Sequence, residues 1–330
     1  MPHLTYYSDL VEFSLRMNAL GKQKTPFLFG INYELTKAFI CESPIDSDQI
    51  FFGIGESNNF LFSEGVNSTV DFSSSPVDHS QYKLKFDVIQ NGLKRGDSFL
   101  ANLTVKTPID TNLSLEEIFC RSKAPYRIYL PGKFVCFSPE RFVEIANGEI
   151  SSNPMKGTIS AAIEDAEQKI LSDFKETAEH STIVDLIRND LSMVAESVRV
   201  KRFRYIDRIS TYHGDEILQV SSEIVGKLPD DYLDHLGDIF VKLLPAGSIC
   251  GAPKKATVEL IHQAEQEERG FYTGVFGYFD GNTLDSAVMI RFIEEKNGQK
   301  FFRSGGGITA YSRCEDEYAE MLEKIYLPFV

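Results

Sequence analysis

Short apolar runs broken by polar turns fill the first third of the chain: FLFGI, QIFFGIG, FLFS and SFLANLTV follow one another between about Phe27 and Val105. That pattern predicts antiparallel strands. A second strand-rich stretch runs from Tyr126 to Ile150, with PGK and NGE as its turns. GNTLDSAVMIRFIEEKNGQKFFRSGGG predicts two more strands joined through KNGQ.

Three helices are predicted. From about Ala161 to Met193, Ile183, Val184, Ile187 and Leu191 recur at helical spacing. GAPKKATVELIHQAEQEERG places Pro253 at a first helical position and stops at Gly270. EDEYAEMLEKIYLPF puts Tyr318, Met321, Leu322 and Ile325 on one face. Strands and helices segregate rather than alternate, so the expected class is α+β and not a doubly wound sheet.

Composition narrows the function. At 42% hydrophobic and 25% charged the chain reads as soluble and globular. No basic start leads into an apolar core, and no apolar run approaches the ~20 residues that span a bilayer, so a cytoplasmic protein without membrane contact is expected. Cys41, Cys120, Cys136, Cys250 and Cys314 are scattered singly, and the histidines form no H-x-x-x-H pair. Any metal chemistry must therefore use carboxylates, which favours a hard ion such as magnesium. The net charge of −14 argues against nucleic acid. A small anionic substrate needs only a few local cations.

Two carboxylate pairs stand three residues apart, Glu176 with Glu179 and Glu317 with Glu320. On helices each pair shares a face, and the two would supply oxygen ligands for a divalent cation if they converged. Spacing alone favours two solvated acidic faces, with Glu320 and Lys324 as an ordinary i,i+4 ion pair. Lys156 lies in a turn between Pro154 and Gly157. Most such lysines are solvated loop charges, whereas a desolvated one beside a second cation becomes a nucleophile. SGGGITA fits the dinucleotide fingerprint by letter, but the chain that follows has no room for a βαβ unit. Its glycines suit a close approach of backbone amides to a carboxylate, or a tight turn. LPAGSICGAPK reads equally as an anion-binding helix start or a plain loop junction. Cys250 lacks the G-x-C-x-G elbow of a glutamine-hydrolysing thiol and is expected to be packed.

SPERF (138–142), NPMKGT (153–158), AEHSTIVDLIRNDL (178–191), PAGSICGAPKKA (245–256), RGFYTGVFGYF (269–279), SAVMIRF (286–292), SGGGITAYS (304–312) and EDEYAEMLEK (315–324) occur in that order. This ordered set resembles the chorismate-utilising enzymes, most closely their aminodeoxychorismate synthase type, over roughly residues 96 to 326. The resemblance implies one catalytic domain over 1–330, with a short strand-rich part at 1–95 and the motif-bearing core at 96–326. Its fold would pack two sheets, flanked by helices, with the active site in a cleft between them.

Carried over by motif, Glu179 and Glu320 would be magnesium ligands, with Glu176 and Glu317 as water-mediated neighbours. Thr158, Tyr272, Arg291, Gly305, Gly306, Gly307 and Lys324 would bind the substrate. Glu140 would be the general acid, and Lys156 would attack ring carbon 2 of chorismate as the carbon-4 hydroxyl leaves. Magnesium near Lys156 would favour its neutral amine. Ammonia, supplied from solution or by a glutamine amidotransferase partner, would then add at carbon 4 and expel the lysine, on a route to p-aminobenzoate and folate.

Several positions depart from the family. Gln219 replaces a histidine that anthranilate synthases link to pyruvate elimination. Cys250 replaces threonine or serine, Tyr311 a common aspartate, and Leu100 the base lysine of isochorismate-forming relatives. No L-L-E-S element is present, so tryptophan feedback is not expected. The alternatives are an anthranilate synthase component I, an isochorismate or salicylate synthase, and a non-catalytic homologue serving as a scaffold.

Overall fold

A computed structural model describes residues 3–60, 69–210 and 216–329. Strand β1 (His3–Tyr7) precedes helix α1 (Leu10–Lys22), which Asp9 caps by accepting the Val11 amide at 2.8 Å. Strands β2 (Phe27–Ile31) and β3 (Ala38–Glu42) form one hairpin, and β4 (Phe51–Ile54) and β5 (Ser57–Asn58) another. After β6 (Phe72–Ser74), helix α2 (His79–Arg95) runs from its Asp78 cap to Gly96, whose left-handed φ of 85° ends it. Strand β7 (Leu100–Thr111) and helix α3 (Leu115–Arg121) follow.

Five strands come next: β8 (Tyr126–Leu130), β9 (Phe134–Ser138), β10 (Arg141–Ala146), β11 (Glu149–Ser152) and β12 (Met155–Ser160). Helices α4 (Ala166–Ser172) and α5 (Phe174–Leu191) lead to the long strands β13 (Glu196–Ser210) and β14 (Glu216–Lys227). Helices α6 (Leu236–Leu243) and α7 (Gly247–Cys250), strand β15 (Gly251–Ala252) and helix α8 (Lys254–Glu265) come after them. The chain closes with β16 (Val275–Phe279), β17 (Leu284–Val288), β18 (Phe292–Lys296), β19 (Gln299–Thr309) and helix α9 (Cys314–Glu323).

Among the described residues the strands form two antiparallel sheets. The first runs β1-β3-β2-β16-β17-β10-β11-β14, with β12 and β13 also on β14. The second runs β15-β7-β19-β18-β9-β8-β4-β5, with β6 on β7. One apolar cluster joins the sheets face to face, bringing Leu28, Phe39 and Phe276 of the first against Phe52, Ile128 and Phe292 of the second. A second cluster packs α1, α5 and α6 on the outer face of the first sheet, and a third packs α2, α8 and α9 on the second. FLFGI reads as an unbroken apolar run because both its faces are covered: Phe27, Phe29 and Ile31 face the outer helices while Leu28 faces the other sheet.

The expected α+β class, the two packed sheets and the flanking helices are all present. The final helix buries Met321 with Tyr318, Leu322 and Ile325 packed beside it, the face expected of it. Other expectations need correction. The strand-rich 1–95 also holds α1 and α2, whose core positions Tyr82, Phe86, Ile89 and Leu93 keep helical spacing between strand-like runs. Of FLFS, residues 61–63 lie outside the described residues. The helix expected over 161–193 is two, broken where Asp173 leaves helical geometry and caps α5. Pro253 is the cap of α8 rather than its first turn, and α8 ends at Glu265, before Gly270. The segment 281–307 carries three strands, since β17 precedes the hairpin through KNGQ.

A buried ion pair fixes the end of α8. Arg269 and Glu265 are each about 1% exposed at the side chain and meet through two bonds of 2.6 and 2.8 Å. Arg269 also donates to the Asn102 carbonyl at 2.7 Å, and Glu265 accepts the Thr104 amide at 2.8 Å. Removing one partner strands a charge out of water, so Arg269→Met or Glu265→Gln alone should cost about 3–5 kcal/mol in guanidinium unfolding. The double replacement Arg269→Met with Glu265→Leu should cost less than either single change.

Candidate active site

Lys156 sits on a β-bulge. Met155 pairs with Ser221 and Thr158 with Gln219, so β12 carries one residue more than β14 across that interval. Gly157 absorbs the distortion at φ +91°, and a Cβ there would come within 2.9 Å of Glu176 Oε2. The bulge carries Lys156 to α5, where its Nζ lies 2.9 Å from Glu179 Oε2. Burial alone would lower the lysine pKa, but Glu179, Glu320 and Glu176 together outweigh it and hold the amine charged. Thr158 is exposed and faces Gln219 across the ladder.

The two carboxylate pairs lie on different helices, and of the second pair it is Glu320 whose charge acts on Lys156. Asp173 caps α5 by accepting the Glu176 amide at 2.9 Å, which sets the first turn that bears Glu176 and Glu179. On α9, Glu317 and Glu320 back onto the glycine run of β19. A Cβ at Gly306 would meet Glu317 Oε2 at 3.5 Å, Glu320 Oε1 at 3.6 Å and Lys324 Nζ at 3.6 Å. Lys324 donates to the Gly305 carbonyl at 2.9 Å and to Glu320 at 2.6 Å. A Cβ at Gly305 would meet the Leu103 carbonyl of β7 at 2.3 Å, so a larger residue there would push the strands apart, whereas at Gly307 it would meet only the tip of the Leu100 side chain at 3.2 Å.

Among the described residues, no three histidine, cysteine or carboxylate side chains are grouped closely enough to hold one ion between them. The donors nonetheless suit magnesium in kind, being oxygen only. That ion commonly takes one or two protein carboxylates and fills its remaining positions with water and substrate.

A second group of residues lies at the seams where the chain passes between sheets. Pro139 and Glu140 link β9 to β10, and residues 289–291 link β17 to β18. The seams are bonded together: the Val288 amide donates to the Glu140 carbonyl at 3.2 Å, and the Phe137 amide to the Arg291 carbonyl at 3.0 Å. Arg291 holds a left-handed φ of 53°, and its Nε donates to Tyr326 at 3.0 Å. Burial raises the Glu140 carboxyl above the ordinary range, against the opposing pull of the Ser248 hydroxyl (3.1 Å) and the charges of Arg291 and Lys324. Tyr272 is 3% exposed, and burial pushes its hydroxyl up to about 12. Its neighbour Thr273 donates its amide to the Met289 carbonyl at 2.8 Å, which ties Tyr272 to the Arg291 seam.

Three polar arrangements carried no signal of their role in the sequence. Asp190, buried, and Lys254, half-buried, form a pair at 2.9 Å that ties α5 to the start of α8. His180, fully buried, meets the Ser222 hydroxyl at 2.7 Å behind the bulge. Arg269 and Glu265 are the third. Asp190 and Lys254 do fall inside two of the ordered motifs, which marks the segments but not the bond between them. Cys250 is fully buried and burial pushes its thiol up to about 11, the packed cysteine expected. Tyr311 is 92% exposed.

The arrangement offers three cations, Lys156, Arg291 and Lys324, with backbone at the glycine run, to an anionic guest. It also offers one amine and one acid of raised pKa for chemistry. Residues 15–328 match the family described as chorismate binding enzyme. The Haemophilus influenzae "Uncharacterized PabA-like protein" is 51% identical over 322 residues, 97% of this chain and 98% of that protein. Aminodeoxychorismate synthase component 1 of Escherichia coli is 34% identical over 286 residues, covering 82% of this chain and 61% of the relative. The crystal structure of anthranilate synthase component I from Streptococcus pneumoniae matches with a TM-score of 0.65 at 28% identity, over 78% of this chain and 59% of that one.

The bulge generates a direct prediction. Gly157→Ala should cost about 1–3 kcal/mol in chemical denaturation, from the positive φ and the contact with Glu176. Gly306→Ala, which meets only ordinary contacts, should cost clearly less; equal losses would count against the bulge geometry.

Proposed function

The chain belongs to the chorismate binding enzyme family, and we propose that it aminates chorismate to 4-amino-4-deoxychorismate with Lys156 as a covalent nucleophile. The observation that carries this reading is the placement of Lys156 on its bulge, 2.9 Å from Glu179 and within the field of Glu176 and Glu320. An amine set among these carboxylates can serve a substitution through the enzyme once its charge is removed.

Arg291, Lys324, Tyr272 and the Gly305–Gly307 backbone would hold the substrate carboxylates, with Thr158 at the open edge of the site. Glu179 and Glu320 would hold magnesium, and Glu176 and Glu317 its water. Bound there, magnesium would supply positive charge for the ring carboxylate and offset the charge of the glutamates. Burial then remains as the main influence on Lys156 and favours its neutral, nucleophilic form. Lys156 attacks carbon 2 while Glu140, whose acid form burial favours, donates its proton to the departing carbon-4 hydroxyl. Ammonia adds at carbon 4 and the lysine leaves. A glutamine amidotransferase subunit would supply that ammonia, and the product would serve p-aminobenzoate and folate synthesis. Gln219, opposite Thr158, supports retention of the enolpyruvyl group, since pyruvate elimination in relatives is linked to a histidine at that place.

Purified protein given chorismate, ammonium and magnesium should yield p-aminobenzoate only once a lyase is added. Fluorescent anthranilate would instead support the pyruvate-eliminating alternative, and no product under any condition would support a scaffold. Lys156→Ala should lose most activity when ammonia is limiting. Glu140→Gln should lower kcat by about 10²–10⁴-fold. The wild-type rate should fall as pH rises through the raised pKa of Glu140, because the acid form is then lost, and Glu140→Gln should abolish that limb of the pH profile.

A further inference from the structure

Beside Glu140 lies a narrow cavity of about 20 Å³, lined also by Ser248, Ser152, Asp190, Val143 and Ile187. A single water-sized guest needs roughly 10–15 Å³ of such space. Chorismate cannot enter, whereas ammonia and ammonium have the size of water.

The polar wall is short of donors. The Ser248 hydroxyl donates to Glu140 at 3.1 Å, and the Ser152 hydroxyl to the Phe142 carbonyl at 2.8 Å. What these hydroxyls leave open are lone pairs, and the Glu140 carboxyl adds another acceptor, while Asp190 is already met by Lys254 and the Gly247 amide. The nearby cations are committed elsewhere. Lys254 holds Asp190 at 2.9 Å and the Leu243 carbonyl at 2.7 Å, while Arg141 is bound to Asp285 and Glu144 at 3.0 and 2.9 Å. An acceptor-rich hole of this size suits a guest with three or four N–H donors. Glu140 belongs both to this wall and to the group of residues around Arg291 and Lys324, so a guest here would be one side chain from the reacting centre.

We propose that this cavity is the holding site for the nitrogen substrate, ammonium or ammonia, next to Glu140. The proposal rests on the amination reading for its purpose, though not for its chemistry of recognition.

Two measurements test it. Thallous ion, close to ammonium in size and charge, should give an anomalous-scattering peak in this cavity in crystals of the full chain, displaced by excess ammonium chloride. A cavity without such a peak overturns the site, whatever the activity. Kinetically, Val143→Ile adds one methylene to the wall. It should raise KM for ammonium by about ten-fold or more and leave KM for chorismate within about two-fold, as one methylene in a fitted pocket discriminates. Ile187→Phe makes the same test if Val143→Ile fails to melt cooperatively. A folded variant with unchanged ammonium KM overturns the proposal. If the wild-type protein aminates nothing, the amination reading falls, and the thallous experiment alone still decides the site.

Discussion

An arginine and a glutamate one helical turn apart, both withdrawn from water at the end of α8, impose an exacting condition on everything they touch. A buried pair is tolerated only when its remaining hydrogen-bonding capacity is met. Here the partners come from three places: the Asn102 carbonyl and Thr104 amide of β7, the Ile249 carbonyl before β15, and Thr273 before β16. Arg269 also lies over the Tyr33 ring, 4.4 Å from its centroid. Ile249 follows Ser248, which bonds Glu140, and Thr273 follows Tyr272. The pair therefore fixes both the hydroxyl partner of the candidate acid and the tyrosine beside Arg291. Its charges are held by backbone groups that cannot move without unpairing an ion.

On the proposed reading, the same reasoning accounts for how a chain of net charge −14 would host a dianionic guest. Its cations at the site are immobilised rather than numerous. Lys324 is pinned between the Gly305 carbonyl and Glu320, and Arg291 is anchored through Tyr326. Each acidic pair sits within reach of a lysine, which offsets one of its two charges.

Legibility in the sequence followed the range of each interaction. Strands separated by PGK, NGE and KNGQ were readable because turn chemistry and alternation are local. Helix α2 was equally local, with Tyr82, Phe86, Ile89 and Leu93 in register, but lay hidden among strand-like runs. Strand β13 was missed because it is dense in charge, as the exposed Arg199, Lys201 and Arg202 illustrate. The break at Asp173 depends on one cap, which periodicity does not register. Of the site, Lys156 and the glutamates were identifiable only through the order of motifs. The bulge that aims Lys156 requires knowing that β12 pairs with β14, some sixty residues away in the chain. The bond between Asp190 and Lys254 likewise crosses α5 and α8, and nothing local to either residue announces it.

On the proposed reading, the electrostatics of Lys156 impose an order on events. In the structure its amine is held charged by the carboxylates assigned to the metal, so the nucleophile is disarmed whenever those carboxylates are uncompensated. The Glu179 contact at 2.9 Å must give way before the nitrogen lone pair is free. Charge brought to Glu179 and Glu320 releases that contact and leaves burial to favour the neutral amine. On that reading, a lysine coupled in this way would react only in a fully assembled site. Its position among acidic residues, which at first sight opposes nucleophilic chemistry, is then what confines that chemistry to the complex with substrate.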